Sequence, residues 1–249
     1  MKEVRLIGLD GLPEVRRGQD IAELIVEAAK REGVALEPGD VVVIAHKIVS
    51  KAEGRVVDLG RVRPSEVALK WAKLLRKDPR LLEVILRETK RVVRMARGVL
   101  ICETRHGYVC ANAGVDQSNA GRGKAVLLPT RPDASARRIR KRLEELTGLD
   151  LPVIITDTFG RPWRLGQVDV ALGFSGMSPF LDYRGMKDKF GYELKVTMPA
   201  LVDEVAAAAE LAMGKLAERP VVIIKGLEYQ RGEYSSRTLV RRPGQDLFR

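Results

Sequence analysis

Apolar residues fall into two patterns along this chain. Short, nearly unbroken aliphatic runs occur at residues 4–9, 41–45, 153–156, 168–174 and 221–224, and turn or charged residues bound them. Such runs predict strands, those at 41–45 and 153–156 buried. Between them, apolar positions return every three or four residues. Ile21, Leu24, Ile25 and Ala28 form one helical face, with Asp20 as N-cap and Glu23 three residues on as a capping box. Gly33 ends that helix, and Pro38-Gly39-Asp40 turns the chain into the next strand. One further helix is expected near Ser65, and another has Asp78 as N-cap with Pro79 at its first position. Asp133 is expected to cap a basic helix closed by Gly148, and residues 201–213 form a last helix ending at Gly214. Residues 176–192 read as irregular, and the tail after Gly232 is polar, basic and aperiodic.

One stretch, ETRHGYVCANAGVDQSN at residues 103–119, stands out. Apolar arms on either side of His106-Gly107 predict a β-hairpin that delivers Asp116, Ser118 and Asn119 to one place. Helices and strands mix without strict βαβ alternation. The predicted fold class is therefore α+β, with mixed, partly antiparallel sheets and flanking helices. No internal repeat is present.

Composition narrows the function. The chain has 249 residues, 45% hydrophobic and 31% charged, enough for one large or two modest domains. Its net charge of +11 favours anionic partners, whether nucleotides, phosphorylated substrates or nucleic acid. Scarce Asn and Cys with abundant mixed charge match heat-adapted proteins. Cys102 and Cys110 sit on the two arms of the hairpin and read as buried free thiols, with a cross-strand disulfide as the alternative. The first residues show no leader pattern, and no apolar run reaches the about 18–20 residues needed to span a bilayer. A cytoplasmic protein is the expectation.

Phosphate-binding glycine motifs are absent. Gly123-Lys124 resembles the end of a P-loop, but Ala125 lacks the hydroxyl and Ser118 stands where the first glycine belongs. Nor is there a Rossmann unit. The stronger feature is an acid pair, Asp116 and Asp157, each read as following an apolar strand beside hydroxyl or amide oxygens (Ser118 and Asn119; Thr158). Mg²⁺ sites use one or two carboxylates and complete the shell with water and phosphate oxygens. Taken singly, each aspartate reads more often as a turn or cap residue than as a metal ligand. Lys47 and Lys51 share a face if residues 46–54 are helical, and they suit polyphosphate or solvent. Arg161 and Arg164, beside Phe159 and Trp163, suit bidentate recognition of phosphate or carboxylate. His106 reads as a turn residue rather than a general base.

Together these motifs resemble the coenzyme F420:L-glutamate ligase family. ETRHGYVCANAGVDQSN, IITDTFGRPWRLGQVDVALG (154–173), KIVSKAEGR (47–55), DEVAAAAELAMGK (203–215) and the Gly11-Leu12-Pro13 loop carry the resemblance. It implies a GTP-dependent γ-glutamyl ligase that joins L-glutamate to a deazaflavin phosphodiester, with Mg²⁺ or Mn²⁺ and a stimulatory K⁺. It also implies a homodimer, each chain a single ligase module of two interleaved subdomains. Carried over by position, Asp116, Asp157 and Thr158 would hold metal. Leu12, Pro13, Glu14, Val15, His46, Lys47, Lys51, Asn119, Met213, Gly214, Lys215 and Leu216 would contact GTP. Arg161 and Arg164 are the candidates for the anionic groups of the deazaflavin substrate. Two rival readings are an RNA-binding module, motivated by the charge and the Arg-rich helix, and a GTP-binding regulator without catalysis.

Overall fold

The computed structural model describes residues 3–246; Met1, Lys2 and the tail's last three residues, 247–249, lie outside the described residues. A five-stranded sheet runs in the order β1 (Arg5–Gly8), β10 (Val221–Lys225), β2 (Val41–Ala45), β8 (Val153–Arg161), β9 (Arg164–Ser175). β2 and β8 are parallel and the other pairs antiparallel, so the mixed α+β expectation holds. Period-two alternation explains the unbroken apolar runs. Val42, Ile44, Val153, Ile155, Val221 and Ile223 face α1 (Ile21–Arg31) and α5 (Pro132–Thr147). Val41, Val43, Ile154, Val222 and Ile224 face α6 (Leu201–Met213). Both faces are covered, so these strands have no polar side.

A second core lies apart from that sheet. It packs α3 (Glu66–Leu75) and α4 (Pro79–Glu88) on β4 (Thr89–Ala96), β5 (Val99–Thr104), β6 (Val109–Ala111) and the short pair β3 (Val56–Asp58) and β7 (Lys124–Val126). Residues 59–107 in this part carry thirteen Lys and Arg against five Asp and Glu. Much of the chain's excess positive charge therefore sits there.

Several expectations need correction. Asp20 accepts from the N–H groups of Ala22 and Glu23, but Glu23 does not complete the box: its carboxylate takes Arg142 Nη2 of α5 at 2.6 Å. Asp20 is thus an N-cap without a box, whereas Asp133 is not an N-cap. It lies inside α5 behind Pro132 and instead accepts from Ser235, Ser236 and the N–H of Phe174. The strand from Val153 does not end at an acid. It continues to Arg161, because β8 and β9 form a long hairpin whose outer half leaves the core and needs no apolar alternation. β4 was unforeseen, since it is a mostly exposed strand at the edge of its sheet, rich in Lys and Arg.

Candidate functional site

β2 ends at Ala45 and passes directly into α2 (His46–Ala52), while its parallel neighbour β8 runs on. The step between them opens a cleft of about 760 Å³, within the usual range for a small-molecule site. The hairpin stretch, the loop before α1, α2, the β8–β9 wall and the segment after α6 all contribute to it. Asp116 and Asp157, 41 positions apart in sequence, both line it.

Asp116 is fixed by its backbone, which exchanges two hydrogen bonds with Val126 at the end of β7. Its carboxylate accepts from Lys47 Nζ at 2.6 Å and from the Ser118 hydroxyl at 2.7 Å and N–H at 2.9 Å. Lys47 also reaches Ser118 Oγ at 2.6 Å. Burial pushes the Asp116 pKa up, but the bonds from Lys47 and Ser118 outweigh it and hold the carboxyl below its ordinary value.

Asp157 faces α2. His46 Nε2 lies 3.2 Å from Asp157 Oδ1 but off the line of a hydrogen bond, so this buried nitrogen has no hydrogen-bond partner. His46 Nδ1 is 3.3 Å from Ser50 Oγ. Lys51, one turn after Lys47, pairs with Glu14 of the loop before α1 at 2.6 Å. The two lysines thus share a helical face and both line the cleft, as spacing predicts. Leu12, Pro13, Val15, Asn119, Met213, Gly214, Lys215 and Leu216 line it too.

Thr158 donates to Asp169 Oδ1 at 2.6 Å and is met by Lys215. Asp169, directly opposite Thr158 on β9, went unremarked in the sequence. Its signal is present: an acid between Val168 and Val170 in an otherwise apolar run is costly to bury without a partner. Arg161 and Arg164 are placed differently. They flank the turn at the outer end of the β8–β9 hairpin and do not line the cleft; Arg161 Nη2 donates to Leu165 O at 2.5 Å. His106 is structural, its Nε2 against the carbonyls of Pro129 and Thr130 and its ring stacked on Tyr108. Cys102 and Cys110 face each other across β5 and β6, buried and free.

The cleft is lined by six carboxylates and four Lys or Arg side chains, so its net charge is negative within a basic chain. Hard oxygen donors dominate it, which suits Mg²⁺ or Mn²⁺ rather than a softer metal. Among the described residues no three His, Cys, Asp or Glu groups converge into a ready cage. Asp116 and Asp157 are the carboxylates of the cleft that could hold such a cation, with its remaining oxygens coming from a ligand or water. The partnerless imidazole nitrogen beside Asp157 marks that side of the cleft as incompletely satisfied.

Comparison with known proteins gives a consistent answer. Residues 11–226 match the family described as F420-0:Gamma-glutamyl ligase. The coenzyme F420:L-glutamate ligase of Methanopyrus kandleri is 51% identical over 95% of this chain and 94% of its own. Those of Methanothermobacter thermautotrophicus and Methanocaldococcus jannaschii are 46% and 44% identical, each over at least 98% of both chains. The chain belongs to the F420-0:gamma-glutamyl ligase family.

Proposed function

We propose that this chain, an amide-forming ligase by family, joins L-glutamate to the carboxylate of an F420 precursor in the cleft at the expense of GTP, with Mg²⁺ or Mn²⁺. The observation that carries the reading is that Asp116, Asp157 and Thr158 line one cleft with Lys47, Lys51 and Lys215, in a chain that matches a family member over 99% of both.

The chemistry follows from what the substrates lack. A carboxylate is a poor acyl donor because oxide leaves badly. Transfer of the γ-phosphoryl group of GTP to that carboxylate gives an acyl phosphate; the glutamate amine then attacks its carbonyl, releasing phosphate. Such a step needs charge neutralisation and in-line positioning more than a protein nucleophile. The divalent cation supplies charge neutralisation at the phosphate oxygens. The protein's own part is to place carboxylates on the cation, and ammonium groups on the phosphates. A negatively lined cleft repels a bare polyphosphate, so nucleotide and metal enter together on this reading. A stimulatory K⁺ and assembly as a homodimer complete the proposal.

The test is mass spectrometry of products after incubation with the deazaflavin precursor, GTP, Mn²⁺ and glutamate. A glutamylated product that requires GTP is expected, and no product under these conditions overturns the reading. Label from an ¹⁸O-carboxylate precursor is expected in released phosphate; unlabelled phosphate excludes the acyl phosphate.

A further inference from the structure

The β8–β9 hairpin rises past the end of β2 and presents both faces to the cleft. Ile154 packs towards α6 and Ile155 towards α1 and α5, so alternation puts Thr156 and Thr158 on the α6 side and Asp157 on the other. The carboxylate sharing a face with the Thr158 hydroxyl is therefore that of Asp169, its cross-strand partner.

Asp169 is 4% exposed and thinly satisfied. Thr158 donates to its Oδ1 at 2.6 Å. Thr156 has one hydroxyl proton and two acceptors in reach, Asp169 Oδ2 at 3.2 Å and the Val170 carbonyl at 3.0 Å, so it serves one at a time. The Lys215 ammonium stands 3.4 Å from Oδ1. Because Thr158 spends its proton on Asp169, its lone pairs are left for a cation, and Lys215 Nζ meets them. The lysine also pairs with Glu210 Oε1 at 3.5 Å and is otherwise lightly held. Its side chain is 58% exposed, it follows Gly214 at φ +58°, and its neighbour Leu216 is 96% exposed. Moving Lys215 takes nothing out of the core.

We propose that Asp169 joins Thr158, the metal position that the resemblance implies, in a cation seat in the cleft. Lys215 is its tethered occupant and gives way to a divalent cation when nucleotide phosphates arrive to receive the ammonium. The proposal rests on the metal–nucleotide reading of the cleft. The exchange keeps the buried carboxylate compensated throughout, since an unpaired buried charge is the costly alternative. Lys47 on Asp116 and Ser118 repeats the same arrangement on the hairpin side.

The test uses Mn²⁺ alone as probe, titrated into the full-length protein and followed by the paramagnetic resonance of free ion. Lys215→Met is expected to bind Mn²⁺ at least tenfold more tightly than the wild type without nucleotide, because the competing ammonium is gone. Asp169→Asn is expected to bind more weakly, and the double variant to show no gain over Asp169→Asn. A Lys215→Met protein that binds no tighter, or a gain that survives in the double variant, overturns the proposal. Should Asp169→Asn fail to fold by circular dichroism, Lys215→Met is compared with Lys215→Met/Glu210→Gln, in which the gain is expected to persist; its loss would assign the cation to Glu210 and overturn the proposal. No nucleotide is needed, so a protein that binds Mn²⁺ as expected but makes no glutamylated product would refute the ligase reading and leave the cation seat standing.

Discussion

Replacing Asp157 separates a chemical role from a scaffolding one. Its side chain is 17% exposed and its charged neighbour is His46, whose Nε2 is close but makes no hydrogen bond to it. Losing such a contact costs about 1–2 kcal/mol, mostly as lost electrostatic compensation of the imidazole and lost packing. Unfolding entropy near 2.1 cal/mol/K per residue gives about 0.5 kcal/mol per degree for a chain of this length. Asp157→Ala should therefore lower Tm by about 2–4 °C. Its effect on turnover should be far larger on the proposed reading, because Asp157 would hold the cation, and losing one source of transition-state charge stabilisation costs about 10²–10³ in rate. Asp157→Asn, which keeps the shape, should show the same loss of turnover with a smaller fall in Tm. Glutamylated product formation and thermal unfolding monitored in parallel are the assays. Turnover of Asp157→Asn within tenfold of wild type would remove Asp157 from the reaction. A fall in Tm beyond about 10 °C for Asp157→Ala would make it a scaffold residue instead.

Three further outcomes are expected. Asp116, with its pKa depressed below 3.8, contributes stability above that value and loses it as pH falls through its folded pKa. Its side chain is 46% exposed, so solvent screening limits the contribution to about 1 kcal/mol or less. Denaturation midpoints of wild type and Lys47→Met should thus converge on acidification below that pKa, and a constant gap would refute the pairing. In Gly173→Ala the new Cβ would lie 2.4 Å from Pro132 C and 2.6 Å from Asp133 N, backbone that has no room to yield. Overpacking of about 3 kcal/mol should lower Tm by about 6 °C, and an unchanged Tm would contradict the α5–β9 contact. Burial raises the Cys102 pKa and pushes Cys110 up to about 12, with the nearby Asp157 charge adding to the latter. Ellman's reagent should therefore label both thiols only after unfolding, and prompt labelling of the folded protein would contradict their burial.

Much of the fold was legible because buried strands and capped helices leave strong local signals. The runs that became β2, β8 and β10 are apolar throughout because both their faces are covered, and α6 ends at Gly214 as its pattern predicts. The exposed edge strand β4 and the outer half of the β8–β9 hairpin carried no such signal, since neither packs into a core. Asp116 and Asp157 were recognisable as carboxylates among other oxygens, but their sharing one cleft depends on tertiary placement by β7 and β8. Asp169 was missed for a related reason: its partner Thr158 is named by cross-strand register. Asp133 was misassigned because Pro132 takes the first helical position and pushes the acid inward, where the C-terminal segment uses it.

That register depends on an irregularity. Ile155 pairs with Gly173 but Thr156 pairs with Ala171, so Leu172 is one residue too many on β9. Had the strands kept the step of their inner half, Thr158 would sit opposite Val170, and the carboxylate would face Phe159. Chain length between this irregularity and the cleft is consequently quantised. One residue inserted between Val170 and Ala171 would trade an acid for a valine opposite Thr158, whereas growth beyond Phe159 would leave that pairing untouched. Among natural relatives, length variation in this hairpin should accumulate at its tip.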